Sequence, residues 1–98
     1  MKVSVDKRVE KVLRTFSAID RSRIDKVVEL FQEQGFTLGE KYLKKLTKSI
    51  WELRPGRIRV LFGMVESEMI IVNVFMKKSM KTPNQEIILA ERRIRDYI

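Results

Sequence analysis

The stretch KSIWELRPGRIRVLFGMVESEMIIVNVFMKK, residues 48–78, limits the fold more than any other part of the chain. Apolar and polar residues alternate through it, and β-branched and aromatic side chains dominate, which is the pattern of strands rather than helices. Pro55-Gly56 and Glu66-Ser67-Glu68 break the run into three strands joined by hairpins. On either side the spacing is helical. Val9, Val12, Leu13 and Phe16 form one apolar stripe behind Asp6, a candidate N-cap, and Val3 and Val5 before it alternate like a short first strand. Ser17 to Asp20 reads as a break, after which Asp20 or Ser22 starts a helix. That helix carries Ile24, Val27, Val28 and Phe31 on one face and stops at Gly35. Residues 36–48 form a basic connector with one short helical turn expected at Tyr42–Leu46. Thr82-Pro83-x-Gln85 has the spacing of a capping box, and Ile87, Ala90, Ile94 and Tyr97 follow as a buried stripe. The expected order is β-α-α-β-β-β-α in a single α+β domain covering residues 1–98. A helical hairpin and a C-terminal helix should pack on one face of a small, mainly antiparallel sheet.

Strand pairing decides which side chains share a face. A three-residue turn at Glu66–Glu68 sets Ile58 against Met76, Val60 against Val74, Phe62 against Val72 and Met64 against Ile70. All four pairs are apolar, whereas a one-residue slip scatters the charges. Closing the preceding hairpin around Pro55-Gly56 sets Trp51 against Val60, Leu53 against Ile58, Glu52 against Arg59 and Arg54 against Arg57. One face is then apolar and needs cover. The other gathers Glu52, Arg54, Arg57, Arg59, Asn73, Phe75 and Lys77, with Lys78 and Lys81 at its rim.

Charge narrows the choice of partner. The net charge is +8, and residues 41–81 hold ten Lys/Arg against three Asp/Glu, while the flanking segments are nearly balanced. A basic block of this kind suits a polyanion such as nucleic acid or the ribosome. An acidic protein partner and a surface kept charged for solubility are the alternatives. There is no cysteine, so no disulfide or thiolate metal site is available, in keeping with a reducing cytoplasm. The first residues lack a signal-peptide pattern and no apolar run is long enough to span a bilayer, so a soluble, cytoplasmic protein without membrane contact is expected.

There is no histidine either, which removes the commonest acid/base and the commonest metal ligand. Glu52 has no carboxylate partner on its face, which disfavours a two-metal nuclease, and neither metal nor cofactor is expected. Metal-free RNA cleavage, in which a 2′-hydroxyl attacks the adjacent phosphate, fits what is left. It requires placement of the strand, neutralised charge on the phosphorane and modest proton transfer. Arg59 suits the second task because its fork matches phosphate oxygens. Lys77, if neighbouring cations depress its pKa, and Glu52 are the candidates for the third. Arg54, Arg57, Lys78 and Lys81 are candidate phosphate contacts, and Phe75 offers a stacking surface for an unpaired base. Each has a plainer reading as a solvated charge, a cross-strand ion pair or cover for apolar surface.

Two blocks carry a family resemblance. LKKLTKSIWELRPGRIRVLF resembles the Lys-Lys-Leu, Leu-Trp-Glu-Leu-Arg block of RelE/ParE-superfamily toxins, in particular their phage-derived, HigB-type branch. FMKKSMKTPNQEIILAERRIRDY resembles that branch's C-terminal block, in which KK-x-x-KTP precedes the last helix. The resemblance implies a ribosome-dependent endoribonuclease that cuts mRNA in the decoding site. It also implies a cognate antitoxin, often of helix-turn-helix type, that silences the toxin and brings it to operator DNA. By position, Arg59 matches the strand arginine used against the scissile phosphate, Lys77 and Lys78 the basic pair after the last strand, and Lys81 the lysine before Thr-Pro. Asn73-Val74 and Ile58 stand where the branch often has His-Gly and Tyr. A gyrase-poisoning toxin like the ParE branch and an inactive homologue that acts only in a repressor complex are the competing functions.

Overall fold

The computed structural model describes all 98 residues. Its elements are β1 (Lys2–Val5), α1 (Lys7–Leu13), α2 (Ala18–Gln34), β2 (Leu43–Lys45), β3 (Trp51–Leu53), β4 (Ile58–Val65), β5 (Glu68–Met76) and α3 (Asn84–Ile94). Short 3₁₀ turns follow α2 at Gly35–Thr37 and α3 at Arg95–Tyr97. This is the expected α+β order with one added strand. Leu43–Lys45, expected as a helical turn, instead pairs antiparallel with β3, Leu43 opposite Leu53, and buries Leu43. The five strands run in the order β1-β5-β4-β3-β2, with β1 parallel to β5 and the other neighbours antiparallel. No helix is long and apolar enough to cross a membrane.

Local chemistry sets most boundaries. Asp6 caps α1 by accepting from the Arg8 amide at 2.8 Å, as its position suggests. Helix α2 starts earlier than expected, because Ser17 accepts from the Asp20 amide at 3.1 Å. It stops at Gly35, whose φ of +58° costs a glycine little and whose amide reaches the Phe31 carbonyl. The expected capping box at Thr82 does not form. Pro83 occupies the N-cap of α3 without a side-chain bond, and the Thr82 hydroxyl turns inward to the Glu52 carboxylate.

The β4–β5 hairpin has the expected register only at its open end, where Ile58 faces Met76, Arg59 faces Phe75, Val60 faces Val74 and Leu61 faces Asn73. Its turn has two residues, not three. Glu66 and Ser67 both take positive φ, 48° and 67°, so that Val65 pairs with Glu68. Type I′ geometry asks for this, but usually with Asn or Gly at those positions. The two registers are reconciled by a bulge: Leu61 faces Asn73, the next pair is Phe62 with Ile71, and Val72 is the extra residue. Strand β3 lies two residues further along β4 than expected, with Trp51 opposite Phe62 and Leu53 opposite Val60. A shift of two preserves parity, so every β3 side chain keeps its face, whereas the bulge moves Val72 and Ile70 to the face opposite the one expected.

The bulge gives the sheet two covered faces. Val9, Ile24, Val27 and Phe31 of α1 and α2 pack on Leu43, Leu53, Ile58, Val60, Phe62, Met69, Ile71 and Val74. Ala90 and Ile94 of α3 pack with Ile50, Leu61, Ile70 and Val72 on the opposite face. Helix α3 is therefore not on the same side as the helical hairpin. Its close approach needs Gly63, where a Cβ would sit 2.7 Å from Ile94 and 2.9 Å from the Ser49 carbonyl. Arg93 donates Nη1 to the Val72 carbonyl at 2.9 Å and so satisfies an acceptor at the bulged residue.

Candidate nucleic-acid interface

Helix α3 roofs only part of the second face. Its Glu86 carbonyl accepts from Asn73 Nδ2 at 3.1 Å, so Asn73 is buried as an anchor for the helix and not presented as a surface amide. Beyond that point the Arg59–Phe75 pair is left without helical cover, and residues 77–83 loop back over it. The loop is tied down at both ends. The Lys77 amide donates to the Arg57 carbonyl at 2.7 Å, extending the ladder by one step, and Thr82 bonds Glu52. Ser79 Oγ donates to the Lys81 carbonyl at 2.8 Å within it.

Sheet end and loop flank a narrow cleft with a free volume of about 10 Å³, lined by Arg59, Phe75, Lys77, Lys78, Lys81 and the intervening loop residues. Five of the eight residues singled out from the sequence meet here. None of the lysines has a carboxylate within 4 Å. Arg59 is 8 % exposed. Its Nη1 donates to the carbonyls of Gly56 at 2.9 Å and Ile58 at 2.8 Å. Nη2 has no partner in the protein and is not sealed from solvent, so it remains free to donate. Burial draws the Arg59 pKa below its usual value, with Glu52 opposing and Arg54 reinforcing that shift. The guanidinium starts so high that its charge persists.

Glu52 has the expected parity and a different depth. It is fully buried, with its carboxylate accepting from Arg54 Nε at 3.0 Å and from Thr82, and Arg59 Nε lies 4.0 Å away. Its strand partner is Leu61, not Arg59. It lies beneath the cleft and is absent from its lining. Arg54 is partly covered beside it, and the Arg57 side chain stands exposed on the turn, outside the cleft lining. The basic connector lies elsewhere: Lys41 and Lys45 sit over the rings of Tyr42 and Trp51 at 5.4 and 5.3 Å. Ser79, Met80, Thr82 and Pro83 also line the cleft and carry no signal of it in the sequence. Thr82 in particular reads there as a helix cap.

Chemically, the cleft offers one anchored guanidinium, three unpaired ammonium groups and the half-buried ring of Phe75. That set can hold a phosphate and stack a base beside it. No group of three or more Asp, Glu, His or Cys residues is placed to hold a metal ion.

Comparison with known proteins agrees with this architecture. Residues 11–95 match the family described as Phage derived protein Gp49-like (DUF891). Among curated proteins, no relative matches the chain. Of solved structures, an archaeal RelE–RelB complex from Pyrococcus horikoshii OT3 contains a chain that superposes with a TM-score of 0.62 at 18% identity, covering 78% of this chain and 93% of that one. At that identity the likeness speaks for the fold. The chain thus belongs to the phage-derived Gp49-like family, a RelE/ParE-type toxin family, and has the RelE fold.

Proposed function

We propose that this chain is the toxin of a type II toxin–antitoxin pair, a HigB-like, ribosome-dependent endoribonuclease that stops translation by cutting mRNA. The observation that carries the reading is the convergence of Arg59, Phe75, Lys77, Lys78 and Lys81 on one cleft free of carboxylates. In the proposed reaction the 2′-oxygen of one nucleotide attacks its own 3′ phosphorus and the 5′-oxygen of the next nucleotide leaves. The products are a 2′,3′-cyclic phosphate and a 5′-hydroxyl end. Arg59, preset by two backbone carbonyls, faces the charge that develops on the phosphorane. Lys77 is the proposed proton-transfer group, Lys78 and Lys81 hold flanking phosphates, and Phe75 stacks a base. Glu52 acts as a positioning residue that aligns Arg54 and Arg59 and ties down the loop through Thr82. Arg54 and Arg57 extend the cationic surface towards the RNA backbone. The partners on this reading are a cognate antitoxin of helix-turn-helix type, the ribosome with its mRNA in the cytoplasm, and operator DNA through the antitoxin alone.

The test is induction of the chain without antitoxin while new mRNA 5′ ends are mapped with and without translation. New ends are expected only in translated messages. Arg59→Ala or Lys77→Ala should reduce them by about 100-fold, the effect of losing one preorganised donor to a transition-state oxyanion. Undiminished toxicity in both variants would falsify the site. Gyrase-dependent DNA damage with intact mRNA would replace cleavage with the protein-binding alternative, and harmless over-expression would point to the inactive homologue.

A further inference from the structure

Phe75 separates two concavities. On one side is the cationic cleft. On the other is a wider groove of about 310 Å³ lined by Phe75, Met76, Lys78, Pro83, Gln85 and Glu86. The two share Phe75, Lys78 and Pro83, so a chain lying in the cleft continues into the groove. Their chemistry differs. The cleft has four cations and no acid, whereas the groove has apolar walls, an exposed amide, one carboxylate, Glu86, and a single cation, the Lys78 it shares with the cleft. The Glu86 carboxylate takes part in no ion pair or hydrogen bond; its backbone amide donates to the Pro83 carbonyl at 3.1 Å and its backbone carbonyl accepts from Asn73. A lone carboxylate beside a phosphate-binding cleft repels the RNA backbone. It attracts a neutral group rich in N–H donors.

We infer that this groove seats the unpaired base next to the phosphate held in the cleft, and that Glu86 reads it. This rests on the RNA-cleaving reading above. The ring of Phe75 and the flat face of Pro83 supply the walls between which a base inserts, and Lys78 holds the phosphate where the two concavities meet. A carboxylate only accepts hydrogen bonds. It therefore favours adenine, cytosine and guanine, each of which presents an exocyclic amino group. It disfavours uracil, whose pairing edge is two carbonyl oxygens around a single N–H. Replacing Glu86 by Gln adds a donor that a uracil carbonyl accepts, so the preference should relax without removing the cationic cleft. Gln85, exposed at the mouth, is placed to add a second polar contact.

The deciding measurement is equilibrium binding of purified chain to short single-stranded oligoribonucleotides that differ at one position, U against A, C or G, blocked by a 2′-deoxy sugar at the junction. Wild-type protein should bind the U series about fivefold more weakly, the lower end of what one base-edge contact supplies at a half-open site. Glu86→Gln should bring that ratio close to one while its thermal unfolding matches wild type. Equal affinity of wild type for all four series overturns the inference, as does an unchanged ratio in Glu86→Gln. Because the sugars are blocked, this result is independent of cleavage. Selective binding without any mRNA cutting in cells sinks the nuclease reading and leaves the base-reading groove standing. Cutting without selectivity does the reverse.

Discussion

Asp6 is 2 % exposed and accepts bonds from Arg8 Nε at 2.9 Å, Arg8 Nη2 at 2.8 Å and the Tyr97 hydroxyl at 2.7 Å. These contacts join the start of α1 to the last residues of the chain, and Arg8 also reaches Asp96 at 3.1 Å. The Arg8 bonds, chiefly, and then the Tyr97 hydroxyl hold the Asp6 carboxyl far below the usual range against the cost of burial. The same bond, with burial, pushes the Tyr97 hydroxyl up to about 12. A depressed carboxylate contributes stability that is present above its unfolded pKa, about 3.9, and is lost as pH falls through the folded value. A raised phenol contributes stability that is present below about 10 and is lost as pH rises through about 12. Urea unfolding should therefore show a plateau for this clasp between about pH 5 and 9. Asp6→Asn should cost about 1–2 kcal/mol at neutral pH, with the deficit narrowing below about pH 4. Tyr97→Phe should cost about 1 kcal/mol and flatten the alkaline decline; an alkaline limb identical to wild type would remove Tyr97 from the account. Glu52 yields a second prediction at this scale. If it positions Arg54 and Arg59, Glu52→Gln lowers cleavage while the acidic limb of the pH–rate profile keeps its midpoint, whereas loss of that limb would mark Glu52 as the base. The sequence revealed Glu52's face through strand parity. Its depth depends on a loop that folds back from residues 77–83, and no local pattern encodes that return.

Among the elements, the β4–β5 hairpin decides where everything else goes. Its alternation gave the correct pairing from Ile58 to Leu61, because apolar matching there has one solution. It failed past Leu61, because Glu66-Ser67 lacks the Asn-Gly signature of a two-residue turn and Val72 carries no mark of a bulge. The bulge matters beyond register. It turns Val72 towards Ile70 and Leu61 and gives the second face enough apolar surface to hold α3. A helix with one buried stripe looks the same in sequence whichever side of the sheet it covers. Gly63 is the one local sign of close approach, a glycine inside a strand. Its replacement tests the packing. In Gly63→Ala the new methyl meets Ile94, which can shift, and the Ser49 carbonyl, which is backbone and cannot easily do so. We expect a loss of about 2–3 kcal/mol, and Ile94→Val in the same chain should restore only part of it. Full rescue by Ile94→Val would show that the helix alone sets the contact.

At the scale of the whole molecule, the excess of positive charge is divided between two places, and composition alone reports only the total. The block at residues 41–81 holds ten of the basic residues, yet Lys41 and Lys45 lie against their own neighbouring rings, while Arg59, Lys77, Lys78 and Lys81 surround the cleft. Strand order produces this division: β2 and β5 lie on opposite sides of the β3–β4 pair, so the connector lysines and the loop lysines are carried apart. The two groups should separate in the salt dependence of binding to a non-cleavable single-stranded RNA. Each phosphate neutralised by the protein contributes about −0.7 to the slope of log K against log salt. If all four cleft cations engage phosphates, the cleft accounts for a slope of about −3. Lys81→Ala should lessen the slope by about 0.7 and weaken binding to every sequence alike, since a lysine on phosphate reads no base. Lys45→Ala, whose ammonium already rests on Trp51, should change the slope by less. A larger change from Lys45→Ala than from Lys81→Ala would place the RNA on the β2 edge and leave the cleft at the end of β4 and β5 without its proposed occupant.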